Sequence, residues 1–119
     1  LATLANVKVL LVEDEPLVAM GIADQLIAAG AVIVGPCPTA RRALDTLAVA
    51  EVDVAVIDFV LADSNSERVQ KALERKRVPY VVLTAYPAVL VRRYEGQHIL
   101  SKPVAADLLC CTVRNLCRA

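Results

Sequence analysis

Five short runs dense in valine, isoleucine and leucine, separated by amphipathic stretches, constrain this chain more than any other feature. They are VKVLLV (7–12), AVIVG (31–35), VDVAVI (52–57), YVVLT (80–84) and HIL (98–100). Most are nearly continuous in apolar residues rather than alternating, the pattern of strands covered on both faces of a parallel sheet. Parallel neighbours need crossover connections, and the intervening stretches are long enough to supply helices. The order therefore predicts an α/β fold of (βα)5 type, a doubly wound open sheet with right-handed crossovers.

The helical stretches carry their own punctuation. Residues 16–29 open on Pro16, favoured in the first helical turn, and stop before Gly30. Residues 39–50 set Ala43, Leu44 and Leu47 at helical spacing behind Thr39 as a cap. Ser64 followed by Glu67 reads as a capping box, with Val69 and Leu73 on one face of a helix running to Arg77. Residues 104–117 place Leu108, Leu109, Val113, Leu116 and Cys117 on one apolar stripe. Between Thr84 and His98 only Leu90, Val91 and Tyr94 offer a helical face, so any helix there is expected to be short and mobile.

The chain has 119 residues, the size of one domain, and 57% of them are hydrophobic, which excludes a disordered or low-complexity segment. Residues 1–119 are read as a single unit with a core over about 7–117. Thirteen basic and thirteen acidic residues cancel, leaving no general attraction for nucleic acid or anionic membranes. No apolar run is long enough to span a bilayer, and no secretory leader precedes the first strand. The first residue is not methionine, which fits a piece of something longer. Cys37, Cys110, Cys111 and Cys117 form no C-x-x-C pair and are expected to be buried or half-buried thiols of a reduced, cytoplasmic protein.

Chemistry concentrates where the strands end. The first strand runs straight into three carboxylates in VLLVEDEP (9–16); the third ends at Asp58, the fourth at Thr84, and the fifth leads into Lys102-Pro103. Each has an ordinary reading: an acidic helix start before Pro16, a turn aspartate, a core-edge threonine, a surface lysine. In doubly wound sheets, however, ligands bind outside the carboxyl ends of the strands, where the winding reverses. If the strand order is 2-1-3-4-5, Glu13, Asp14 and Asp58 converge on one cleft. Two like charges ~4 Å apart at an effective dielectric of about 20 repel by roughly 4 kcal/mol. Either one carboxyl stays protonated or a cation sits among them, and an all-oxygen site suits Mg²⁺. An acidic cleft with Mg²⁺, a lysine and a hydroxyl is suited to hold a phosphoryl group, with Asp58 as nucleophile.

The segments VLLVEDEP, VAVIDFVL, VVLTAY and LSKPV, in that order, resemble the receiver domain of two-component response regulators over about Val7 to Leu116. The resemblance implies a flavodoxin-like sheet and a Mg²⁺-dependent phosphorylation switch. It makes Asp58 the phosphoacceptor for the phosphohistidine of a histidine kinase or phosphotransfer protein. It also implies Asp14 as a direct metal ligand, Glu13 acting through water, and the Val60 carbonyl as a third protein ligand. Thr84 becomes the switch hydroxyl and Lys102 the partner of a phosphoryl oxygen, with a cis Lys102-Pro103 bond. The expected protein is a self-phosphorylating phosphoacceptor that slowly loses its phosphoryl group, not a metabolic enzyme. It signals to a downstream protein still to be identified; homodimerisation is left open.

Three positions depart from the family pattern. Ile99 stands where many receivers carry an aromatic three residues before the lysine, leaving Tyr86 as the substitute switch aromatic. The segment from Thr84 to Lys102 is short by about one helical turn, as in a branch of single-domain receivers, and residues 86–97 are expected to order or disorder on phosphorylation. Val60 has no polar side chain to position an attacking water. The competing readings are a phosphorylation-independent binding module of the same fold and a small aspartate phosphatase. The latter would need a second catalytic aspartate where Val60 stands.

Overall fold

The computed structural model describes residues 3–85 and 98–118. The weak helix and the aromatics Tyr86 and Tyr94 lie outside the described residues, as does the segment expected to order or disorder. Strands β1 (Lys8–Val12), β2 (Val32–Cys37), β3 (Val54–Asp58), β4 (Tyr80–Thr84) and β5 (His98–Ser101) form one parallel sheet in the order β2-β1-β3-β4-β5. Helices α1 (Pro16–Ala28), α2 (Ala40–Val49), α3 (Glu67–Arg75) and α4 (Ala106–Arg118) complete the described elements.

Alternate residues of each central strand serve opposite layers. Val9, Leu11, Val54, Val56, Val81 and Leu83 pack with Leu26, Leu109 and Val113 of α1 and α4. Leu10, Val12, Ala55, Ile57 and Val82 pack instead with Leu47 of α2 and Val69 and Leu73 of α3. A fully buried leucine or isoleucine contributes about 1.5–3 kcal/mol, so both faces hold the central strands in place. This is why their sequences lack alternation. The buried cluster also starts earlier than expected: Leu4 is fully buried, and its N–H donates to the Ala29 carbonyl.

Three boundaries differ from expectation for identifiable reasons. β2 continues through Pro36 to Cys37 with a register shift opposite Leu10–Val12 and a cis Gly35-Pro36 bond. It is an edge strand, where a residue without an N–H is tolerated. Gly35 has φ +105°, and a Cβ there would lie 2.8 Å from the Cys37 nitrogen, so only glycine fits. Helix α3 begins at Glu67, and no capping box forms at Ser64. The Asn65 side-chain oxygen accepts from the Glu67 N–H, while the Ser64 hydroxyl donates to the Asn65 carbonyl. On α4 only Leu109, Val113 and Leu116 are buried; Leu108 and Cys117 face outward, beyond the stripe that meets α1 and the sheet.

Other local expectations agree. Pro16 opens α1, and the Thr39 hydroxyl accepts from the Arg42 N–H at 3.1 Å. Helix α3 ends at Arg75, two residues short of Arg77, with Lys76 as its C-cap, and cations there suit the helix dipole. The Lys102-Pro103 bond is cis. All four cysteines are free, but only Cys37 is buried; Cys110 is half-buried and Cys111 and Cys117 are exposed. Among the described residues, no helix is long and apolar enough to cross a membrane.

Candidate phosphoacceptor site

Strand pairing brings the carboxyl ends of β1, β3, β4 and β5 to one edge of the sheet. Val12 pairs with Ile57, Asp58 with Leu83, and Thr84 with Ser101. Three backbone bonds extend this alignment beyond the strands. The Glu13 N–H donates to the Cys37 carbonyl at 2.9 Å, the Phe59 N–H to the Leu83 carbonyl at 3.0 Å, and the Lys102 N–H to the Thr84 carbonyl at 2.8 Å. Glu13, Asp58 and Lys102 are thus placed by main-chain geometry before their side chains interact.

Those side chains form a compact charged group. The Lys102 ammonium donates to Oε1 of Glu13 at 2.9 Å and to Oδ2 of Asp58 at 3.0 Å. Oε2 of Glu13 accepts from the Asp14 N–H at 2.9 Å. Glu13 is 2% exposed and Asp58 8%, with Asp14 half-buried. One carboxylate oxygen from each of Glu13, Asp14 and Asp58 lies within 4.8 Å of the others. The lysine sits inside the acidic group as its counter-ion.

Three carboxylates against one ammonium leave an excess of negative charge in a poorly solvated place. Burial, reinforced by the hydrogen bond and repulsion from Asp58, pushes the Glu13 carboxyl up to about 7 despite the ammonium. Burial opposes the charged form of Lys102, but its bonds to Glu13 and Asp58 outweigh that and hold it above the usual lysine value. Two compensations remain open, a proton on Glu13 or an added cation. Three convergent carboxylates are a hard-oxygen donor set of the kind Mg²⁺ takes.

The remaining sequence candidates distribute around this group. Thr84 is buried as the last residue of β4. Val60 lies two residues past Asp58 and is 61% exposed, in a loop pinned by a Val60–Asn65 bridge. Ile99 is half-buried against the core layer under α2 and α3. Asp63 was not picked out from the sequence. It stands in the loop after β3, and its carboxylate accepts from the N–H groups of Ala40 and Arg41 at 2.9 and 3.3 Å. An isolated loop aspartate carries no sequence signal for a helix that starts twenty-three residues earlier.

A five-stranded sheet in this order, with carboxylates and a lysine at its carboxyl edge, defines a doubly wound α/β protein with an acidic cluster where the strands end. The chain belongs to the response regulator receiver domain family, whose model matches residues 9–114. Comparison with curated proteins gives no significant match. Among solved structures it is similar to the receiver domain of the response regulator PhyR of Erythrobacter litoralis, with 27% identity and a TM-score of 0.84 over 95% of this chain and 91% of that one. It is also similar to the anti-anti-sigma factor PhyR of Bartonella quintana, at 26% identity and TM-score 0.83 over 93% of this chain and 47% of that one. The chain thus spans about half the length of that PhyR protein. A third, the receiver domain of a Pseudomonas aeruginosa sensor histidine kinase with magnesium in its active-site cleft, is 21% identical with a TM-score of 0.86, covering 97% of this chain and all of that one. At that identity it speaks for the fold alone.

Proposed function

We propose that Asp58 accepts a phosphoryl group from a phosphohistidine and that the chain acts as a phosphorylation switch. The observation that carries this reading is the Lys102 ammonium held between Glu13 and Asp58, with a third carboxylate beside them. An Asp58 oxygen forms the new bond to phosphorus as the bond to the imidazole nitrogen breaks. The nitrogen keeps the electron pair and takes up a proton. Asp58 is the natural nucleophile because it terminates β3 at the centre of the sheet edge, rigidly held and only slightly exposed.

Asp14, Asp58 and the Val60 carbonyl would hold Mg²⁺, with Glu13 acting through water, and the ion would supply the charge that lets these carboxylates and a phosphoryl group share the cleft. Lys102 then exchanges one carboxylate contact for a phosphoryl oxygen as a mobile point charge. Thr84, buried at the end of the neighbouring strand, offers its hydroxyl to another oxygen. A kinase or phosphotransfer protein supplies the phosphohistidine in the cytoplasm. Two matched solved chains are called anti-anti-sigma factors, which favours a protein over nucleic acid as the output partner.

Intact mass after incubation with acetyl phosphate and Mg²⁺ tests the reading. We expect the gain of one phosphoryl group, dependent on Mg²⁺ and lost in Asp58→Asn. No gain under conditions that label a control receiver would replace the switch with a phosphorylation-independent binding module.

A further inference from the structure

The loop that follows Asp58 is held from outside as well as from within. Internally, the Leu61 N–H donates to the Ser64 carbonyl and the Ser66 N–H to the Phe59 carbonyl, both at 2.8 Å. Externally, Asp63 reaches the start of α2 and accepts from the first two amide groups of that helix. Thr39 accepts from the third. The open N-terminal donors of α2 are therefore shared between a residue of its own chain segment and a residue of the phosphoacceptor loop. The bonds to Ala40 and Arg41 hold the exposed Asp63 carboxyl below the usual aspartate range, as expected for an anion at a helix N-terminus.

This bridge closes a mechanical circuit around the site. α2 follows β2, whose Cys37 carbonyl takes the Glu13 N–H. Asp63 sits five residues beyond Asp58 and three beyond Val60. The segment carrying Asp58 and Val60 is thereby braced against the segment that positions Glu13. We propose that Asp63 is a positioning residue. By bonding the N-terminus of α2, it holds the loop 59–66 so that Asp58 and the Val60 carbonyl face the acidic pair. The proposal rests on the phosphoacceptor reading above. It adds a residue that touches neither the phosphoryl group nor the metal.

Thr39→Ala is the control, because it removes a cap from the same helix end without touching the loop. Asp63→Ala and Thr39→Ala should lower Tm by similar amounts, about 4 °C each. Only Asp63→Ala should weaken Mg²⁺ binding in calorimetry and slow phosphorylation by acetyl phosphate, each about five-fold. In the metal-free protein, only Asp63→Ala should speed amide exchange across residues 59–66, by a similar factor. The proposal is overturned if the two variants match in Mg²⁺ affinity, phosphorylation and loop exchange. If the wild type itself takes neither Mg²⁺ nor phosphoryl, the phosphoacceptor reading fails. The exchange comparison in metal-free protein then decides whether the brace exists.

Discussion

Replacing Lys102 with methionine keeps most of the side-chain stem and removes the only cation in contact with Glu13 and Asp58 among the described residues. At 2.9 and 3.0 Å, and an effective dielectric of about 20, each contact has a gross attraction of about 5–6 kcal/mol. Desolvation of the two buried carboxylates and the half-buried ammonium offsets most of it. What the variant leaves behind decides the outcome: two nearly buried carboxylates without a counter-ion, repelling by up to roughly 4 kcal/mol. Protonating Glu13, already raised to about 7, relieves this and limits the loss. We expect Lys102→Met to lower the stability of metal-free protein by about 2–4 kcal/mol at pH 8, read from urea denaturation. The loss should fall to about 1 kcal/mol or less near pH 5.5, where a proton replaces the ammonium. It should also shrink with added Mg²⁺, which the variant should bind more tightly than wild type because no ammonium competes. A loss unaffected by pH and Mg²⁺ would refute the electrostatic argument and reduce Lys102 to a packing residue.

The pH dependence of the wild type follows from the same group. The folded Glu13 carboxyl keeps its proton to about 7 while the unfolded one releases it near 4.5. The folded state therefore holds the extra proton between those values, and metal-free stability falls as pH rises through the window, by about 3 kcal/mol in all. Glu13→Gln, whose amide still accepts from Lys102, should flatten that slope in parallel denaturation curves; an unchanged slope would assign it elsewhere. Gly35→Ala should cost more than about 2 kcal/mol in the same assay, since its Cβ would meet the Leu11 carbonyl oxygen at 2.9 Å as well as the Cys37 nitrogen. A loss below about 0.5 kcal/mol would mean that the β2 bulge relaxes easily.

Much of the fold was legible because its signals are local. Strands covered on both faces need unbroken valine and isoleucine, and VAVI of β3 is buried at every position. Pro16 and Thr39 mark helix starts through their own backbone and hydroxyl chemistry. The candidate residues at the strand ends were legible for the same reason: apolar runs give way there to Glu13, Asp58, Thr84 and Lys102. Where several local readings competed, the sequence was less decisive. Ser64 and Glu67 have capping-box spacing, but the Val60–Asn65 bridge consumes the turn that Ser64 would have capped. Gly35-Pro36 reads as a strand terminator, yet an edge strand has a free side on which a proline fits.

The sequence by itself determined the element types, the alternation that demands a parallel sheet, and the acidic, hydroxyl and lysine groups at the strand ends. Those depend on periodicity and residue chemistry within a few positions. Only the tertiary structure decided the strand order that makes β1 and β3 neighbours. It alone set the Lys102 ammonium against Glu13 across 89 residues and brought Asp63 to the start of α2. These juxtapositions arise when buried strands select their partners by two-sided packing, a choice spread over the whole core and written in no single segment.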